Sequence, residues 1–180
     1  MPSLLSQPPD GNVAAPIAVL IFALVSACSS GAEDAANAEV RRAASDSAFA
    51  EVQTRGHTAM GVDQYTSTHL FQPLPDGGRI ELQRDADDSA GRARILEHMD
   101  EIAAAFGAGD FAVPGFVHAR EVPGTAVMAA RRAKIRYGVE SLPRGAAVRL
   151  TTGDSLAIEA IHEFLAFQGQ DHRAGTRHGK

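Results

Sequence analysis

Apolar and polar residues alternate in two short stretches of the chain. Ile80 and Leu82 alternate with Glu81 and Gln83, and Ile135, Tyr137 and Val139 alternate with Lys134, Arg136 and Gly138. A period of two marks a strand with one buried and one wet face. Each stretch has a partner: Thr66 to Leu74 lies before the first, across Pro75-Asp76-Gly77-Gly78, and Ala147 to Thr151 lies after the second, across Leu142-Pro143-Arg144-Gly145. Such connections between apolar runs predict two hairpins. Elsewhere the apolar residues recur at three and four. Ile95, Leu96, Met99, Ile102, Ala103 and Phe106 form one stripe over Ala90 to Phe106, and Ile158, Ile161, Phe164 and Leu165 form another over Ser155 to Gln168. That spacing predicts two amphipathic helices. Asp85 to Ser89 and Asp154 supply N-caps, and Gly107 and Gly109 close the first helix.

The order is strand, strand, helix, twice over. It predicts an α+β fold: a duplicated ββα unit forming a four-stranded antiparallel sheet with both helices packed on one face. The opposite face would carry Glu81, Gln83, Lys134, Arg136 and Arg149. Between the halves, Asp110 to Gly124 reads as an ordered loop with two Pro-Gly turns, and Thr125 to Arg132 as a short helix.

The N-terminal region follows a different rule. Val13 to Ala27 is a 15-residue apolar run, short of the ~20 residues that span a bilayer. It ends in Leu24-Val25-Ser26-Ala27-Cys28, with the only cysteine of the chain. This junction resembles the lipobox of bacterial lipoprotein signal peptides. The resemblance implies removal of residues 1–27, lipidation of Cys28, and attachment on the periplasmic side of the cell envelope. Ser29, a non-Asp residue after the cysteine, implies the outer membrane. The stretch before the run departs from the pattern, since it has no Lys or Arg and carries Asp10. A cleaved secretory signal and a buried or membrane-lying apolar N-terminus stay open as alternatives. Residues 28–55 are rich in Ala, Ser and charge, with Val40, Phe49 and Val52 too sparse for a stripe, and read as a flexible tether, with a fraying helix within it left open. Residues 56–172 then form a single domain, and residues 173–180, with His178, a disordered polar tail.

Composition adds exclusions. Seventeen Lys and Arg against 22 Asp and Glu give a net charge of −5, and the basic residues are dispersed, which argues against nucleic-acid binding. One cysteine excludes an intrachain disulfide. About 150 residues after the signal suffice for one real core.

Five histidines fall within the predicted domain elements or at their ends: His69 on the first strand, His98 on the first helix, His118 in the Pro-Gly loop, His162 on the second helix and His172 just beyond it. Met60, Met99 and Met128 lie near the same elements. Imidazole with thioether suits copper, above all Cu(I), and imidazole alone suits zinc or nickel. His69, His98, His118 and His162 are therefore candidate metal ligands. No pair has the spacing of a local metal motif, and His162-Glu163 is not His-Glu-x-x-His because Ala166 takes the last place. His98 and His162 hold corresponding positions at the stripe edges, so helices packed side by side would bring them together. The structural alternative is that each is a boundary histidine with one hydrogen bond. Glu163 beside His162 and Asp171 beside His172 are no ready dyads, because adjacent helical residues diverge. Arg131, Arg132, Lys134 and Arg136 form a basic run, read as a solvated sheet face or as a site for an anionic head group or acidic partner.

The region from His57 to His172 resembles a family of short bacterial proteins of unknown function. The residues that carry the resemblance are Met60-Gly61, Thr68-His69 with Phe71, Asp76-Gly77-Gly78, Gly109-Asp110-Phe111, Val117-His118, Pro123-Gly124 with Met128, Ile161 to Gln168, and Asp171-His172. It implies one compact domain. The aspartate carbamoyltransferase name borne by some members finds no physical support: the chain is too short for two such domains and has no Ser-Thr-Arg-Thr stretch. The function expected is a non-enzymatic, lipid-anchored envelope module that binds a protein partner or a small ligand, a copper or zinc ion among them. The alternative is a small hydrolase or transferase with His162 or His98 as base.

Overall fold

The computed structural model describes residues 29–174; the apolar run, Cys28 and the tail from residue 175 on, with His178, lie outside the described residues. The chain divides into two units between Val40 and Arg41, and the sheet with its helices belongs to the second.

The two hairpins form as their patterns dictate. β1 (Ser67–Leu74) pairs with β2 (Gly77–Arg84), and β3 (Arg136–Leu142) with β4 (Gly145–Thr151). The hairpins join through antiparallel β2 and β4, giving the order β1-β2-β4-β3. In this register Ile80 faces Val148, Leu82 faces Ala146, and Gly78 faces Leu150. Those side chains are buried on the face covered by α2 (Ser89–Ala108) and α5 (Ser155–Asp171). Each helix starts at an aspartate that accepts a backbone N–H: Asp88 from Gly91 at 2.8 Å and Asp154 from Ala157 at 3.1 Å. α2 ends at Gly109, whose φ of 84° is the left-handed conformation that glycine adopts without strain.

The helices exchange hairpins. α2 follows the first hairpin but lies over β4 and β3, while α5 follows the second and lies over β1 and β2. Gly78 permits the second approach, for a Cβ there would sit 2.2 Å from Leu165 Cδ1 and 3.1 Å from Ile161 Cγ2. One continuous core results, with Leu82, Ile95, Phe106, Met128, Leu150, Ile161, Phe164 and Leu165 nearly or fully inaccessible.

Three expectations need correction. The segment expected to be a tether over 28–55 is instead largely helical: α1 spans Ser29–Met60. Phe49 and Val52 are buried, the Arg173 guanidinium lies 4.4 Å from the centre of the Phe49 ring, and Arg55 Nε donates to Val117 O at 2.7 Å. Two well-placed apolar residues thus dock a helix too polar to show a stripe, and the packed region begins before Gly56. The segment Asp110 to Gly124 is not all loop, because α3 (Ala112–His118) occupies its middle; α4 (Thr125–Ala130) follows. Lys134 does not sit on the open sheet face. It lies in a single 3₁₀ turn, Arg132–Lys134, and reaches Asp154 at 2.7 Å, as does Arg131 at 2.6 Å. The basic run is thereby partly consumed in fixing the start of α5. The open face keeps Glu81, Gln83, Arg136 and Arg149, and Arg79 links Glu81 to Glu140.

Candidate functional site

Four histidines line one cavity of about 70 Å³. His69 enters from β1, on the covered face opposite Leu82. His98 comes from the buried side of α2, one residue before Met99. His118 is the last residue of α3, and His172 follows the end of α5. Met60, Met99 and Gln168 complete the polar and sulfur lining, and aromatic and aliphatic side chains make up the rest. Among the described residues, no carboxylate, thiol or hydroxyl lines it.

The rings sit close together. His69 and His172 have centroids 4.8 Å apart, and His118 and His172 5.1 Å. Phe71 stacks on His69 at 5.6 Å. Burial, with the nearby His98 ring as a second cause, pushes His69 down to about 4. His98 is lowered by burial against the opposing pull of Glu101. His172 is held well below the ordinary histidine value by burial, then by His69 and His118. These three rings are therefore neutral at pH 7 and keep a lone pair on one nitrogen.

His118 is fixed from both sides. Nδ1 lies 2.5 Å from Asp171 Oδ2 and donates its N–H to the carboxylate. Nε2 lies 2.9 Å from the acceptor oxygen Oε1 of Gln168, so both ring nitrogens face acceptors. Arg120 holds the other Asp171 oxygen at 3.1 Å. A carboxylate that orients an imidazole from behind is also the usual support for a metal-binding histidine. His172 is different. It is buried, and its Nδ1 has no hydrogen-bond partner among the described residues, an arrangement that costs free energy unless something satisfies it.

The structure thus brings His69, His98 and His118 together and adds His172 in place of His162. His162 does not approach His98. Its Nε2–H donates to Leu74 O at 2.9 Å and to Gly77 O at 3.1 Å, clamping the β1–β2 turn. α5 lies over the first hairpin, and His162 on its hairpin side meets that turn, while Phe164 on the other side meets Phe106 of α2. Gln168, Asp171 and His172 were the residues to add. Their signal was on the chain, since Phe164, Gln168 and His172 recur at four and carry the apolar stripe of α5 into polar residues. Among the described residues, no three His, Cys, Asp or Glu side chains are placed to hold a metal ion together as the rings stand, and no helix is long and apolar enough to cross a membrane. Comparison with family models, with curated proteins and with solved structures finds no match for this chain.

Proposed function

We propose that this protein is a non-enzymatic, lipid-anchored module of the cell envelope that binds a small ligand in the histidine-lined cavity. The observation that carries the reading is the buried, unpartnered His172 Nδ1 at a cavity shared with three other imidazoles. Buried polar atoms are nearly always satisfied, and a ligand with a matching group would satisfy this one. The volume of about 70 Å³ sets the size, room for about two waters or a ligand of a few heavy atoms. Chemistry on a substrate is less well supported. His162 is committed to two carbonyls, His98 is buried beside apolar residues, and no Ser, Thr or Cys lines the cavity to act as nucleophile.

Xenon tests the cavity directly, because it enters buried apolar space without needing polar partners. Methyl resonances of Ile80, Ile102 and Met99 should shift under xenon pressure, and Val117→Phe, which fills the space, should abolish the shift. Unmoved methyls in the wild type would remove the basis of the reading. The anchor is tested at Cys28: Cys28→Ala should shift the protein out of the membrane fraction, and wild type without lipid label and with unchanged fractionation would refute attachment.

A further inference from the structure

We infer that the ligand of the cavity is a single soft monovalent metal ion, Cu(I), held by His69 and His172 with the thioethers of Met60 and Met99. The inference rests on the ligand-binding reading above and names the ligand class.

Four observations converge. Among the described residues the lining has no carboxylate or thiol, and its one amide, Gln168, is taken up by His118, which leaves imidazoles and thioethers as donors. Thioether sulfur selects Cu(I), and imidazole accepts it, whereas Mg, Ca and Mn prefer oxygen. The second observation concerns charge. A cage of neutral donors in an apolar wall leaves the charge of the ion uncompensated, and the cost of burying an ion rises with the square of its charge. A monovalent ion is thus far less penalised than Zn(II) or Ni(II). The third is geometric. Metal–nitrogen bonds of about 2.0–2.1 Å place the centres of two ligating rings roughly 5–6 Å apart. The His69 and His172 centroids stand at 4.8 Å, a few tenths of an ångström and a ring rotation short of that. Cu(I) takes thioethers as ligands, so two imidazoles with two methionines suffice without a cluster of three His, Cys, Asp or Glu side chains. The fourth is the set of neighbours. His118, oriented by Asp171, packs edge-on against His172 at 5.1 Å, and Phe71 stacks on His69. Phe71 also stacks on His172 at 5.6 Å, so both ligating rings pack against one aromatic wall.

No electron moves in the binding step. The step is coordination of Cu(I) by two imidazole lone pairs and sulfur.

The test is an anaerobic titration of the metal-depleted full chain with Cu(I), in competition with the chromogenic chelator bicinchoninate, and a parallel thermal melt with Ag(I) as an air-stable stand-in. The expected result is one Cu(I) withheld from the chelator per chain and a raised melting temperature with Ag(I). His172→Ala should weaken binding at least about tenfold, while His162→Ala, outside the cavity, should leave it unchanged. Should His172→Ala not fold, the near-isosteric pair Met60→Leu with Met99→Leu keeps the core volume and should weaken Cu(I) and Ag(I) alike. Three results overturn the inference: no Cu(I) withheld, Zn(II) binding as tightly as Cu(I), or Cu(I) affinity unchanged when both methionines become leucine. Failure of Cu(I) with xenon still entering the cavity sinks the ion and leaves the ligand-binding reading intact; failure of both sinks the reading as well.

Discussion

Phe49→Ala tests whether α1 is part of the fold. Phe49 is 9% exposed, lies under the Arg173 guanidinium at 4.4 Å, and meets the Tyr65 ring edge-on at 6.3 Å. Burying a phenylalanine side chain contributes about 1.5–3 kcal/mol, and a cation–π contact about 0.5–1 kcal/mol more. Tyr65 is itself half exposed, so the pocket can close partly around an alanine, and a net loss of about 2–3 kcal/mol is expected. For a domain of this size that is a fall in melting temperature of roughly 8–12 °C. The assay is a thermal melt followed by far-ultraviolet circular dichroism, with Val40→Ala as control. Val40 is 68% exposed and its truncation should move the midpoint by no more than about 1 °C. A Phe49→Ala protein that melts with the wild type would mean that α1 does not dock in solution, and the expectation of a tether would be restored.

Gly78→Ala should cost about 1–3 kcal/mol by overpacking α5 against the sheet, read as a lowered urea midpoint; an unchanged midpoint would show that Leu165 and Ile161 are not seated on β2. Stability should also fall as pH drops below that of an ordinary histidine. Unfolded rings take up protons near 6.5 and folded His69 only near 4, so between those values the unfolded state binds more protons and stability is lost on acidification. The contribution of His69 alone is about 3 kcal/mol, fully present above pH 6.5 and lost as pH falls to 4, with His98 and His172 acting in the same direction. Urea midpoints measured with chelator present from pH 7.5 to 5 check this, and a flat profile would mean that the rings are hydrated.

The sheet, α2, α5 and the covered face were legible because each rests on a periodicity that packing enforces. Ile80 and Leu82 could only face inward once Glu81 and Gln83 faced out. Two features were hidden for physical reasons. α1 buries only two large apolar residues, Phe49 and Val52, before its final turn, too few to register as a stripe. α3 contains Pro114 and Gly115, which argue for turns, yet Pro114 lies in the first turn of a seven-residue helix, where its missing N–H costs nothing. The site was half legible. Residue type marked the histidines, but which of them meet depends on which hairpin each helix covers, and that is a matter of topology. Symmetry between the halves suggested His98 with His162; the exchange of helices replaced that pair with His69 and His172, contributed by β1 and the helix that lies over it.

That exchange also sets an order of events during synthesis. The first hairpin leaves the ribosome with Ile80 and Leu82 on a bare face, and the helix that follows it at once, α2, finds its main seat on strands not yet made. The helix that covers β1 begins only at Ser155. The N-terminal half therefore emerges as a hairpin and a helix with no closed core, and must wait for nearly the whole chain before either apolar face is sealed. A chain that folds in this way needs protection for its first hundred residues, or transport unfolded, more than one whose halves close independently.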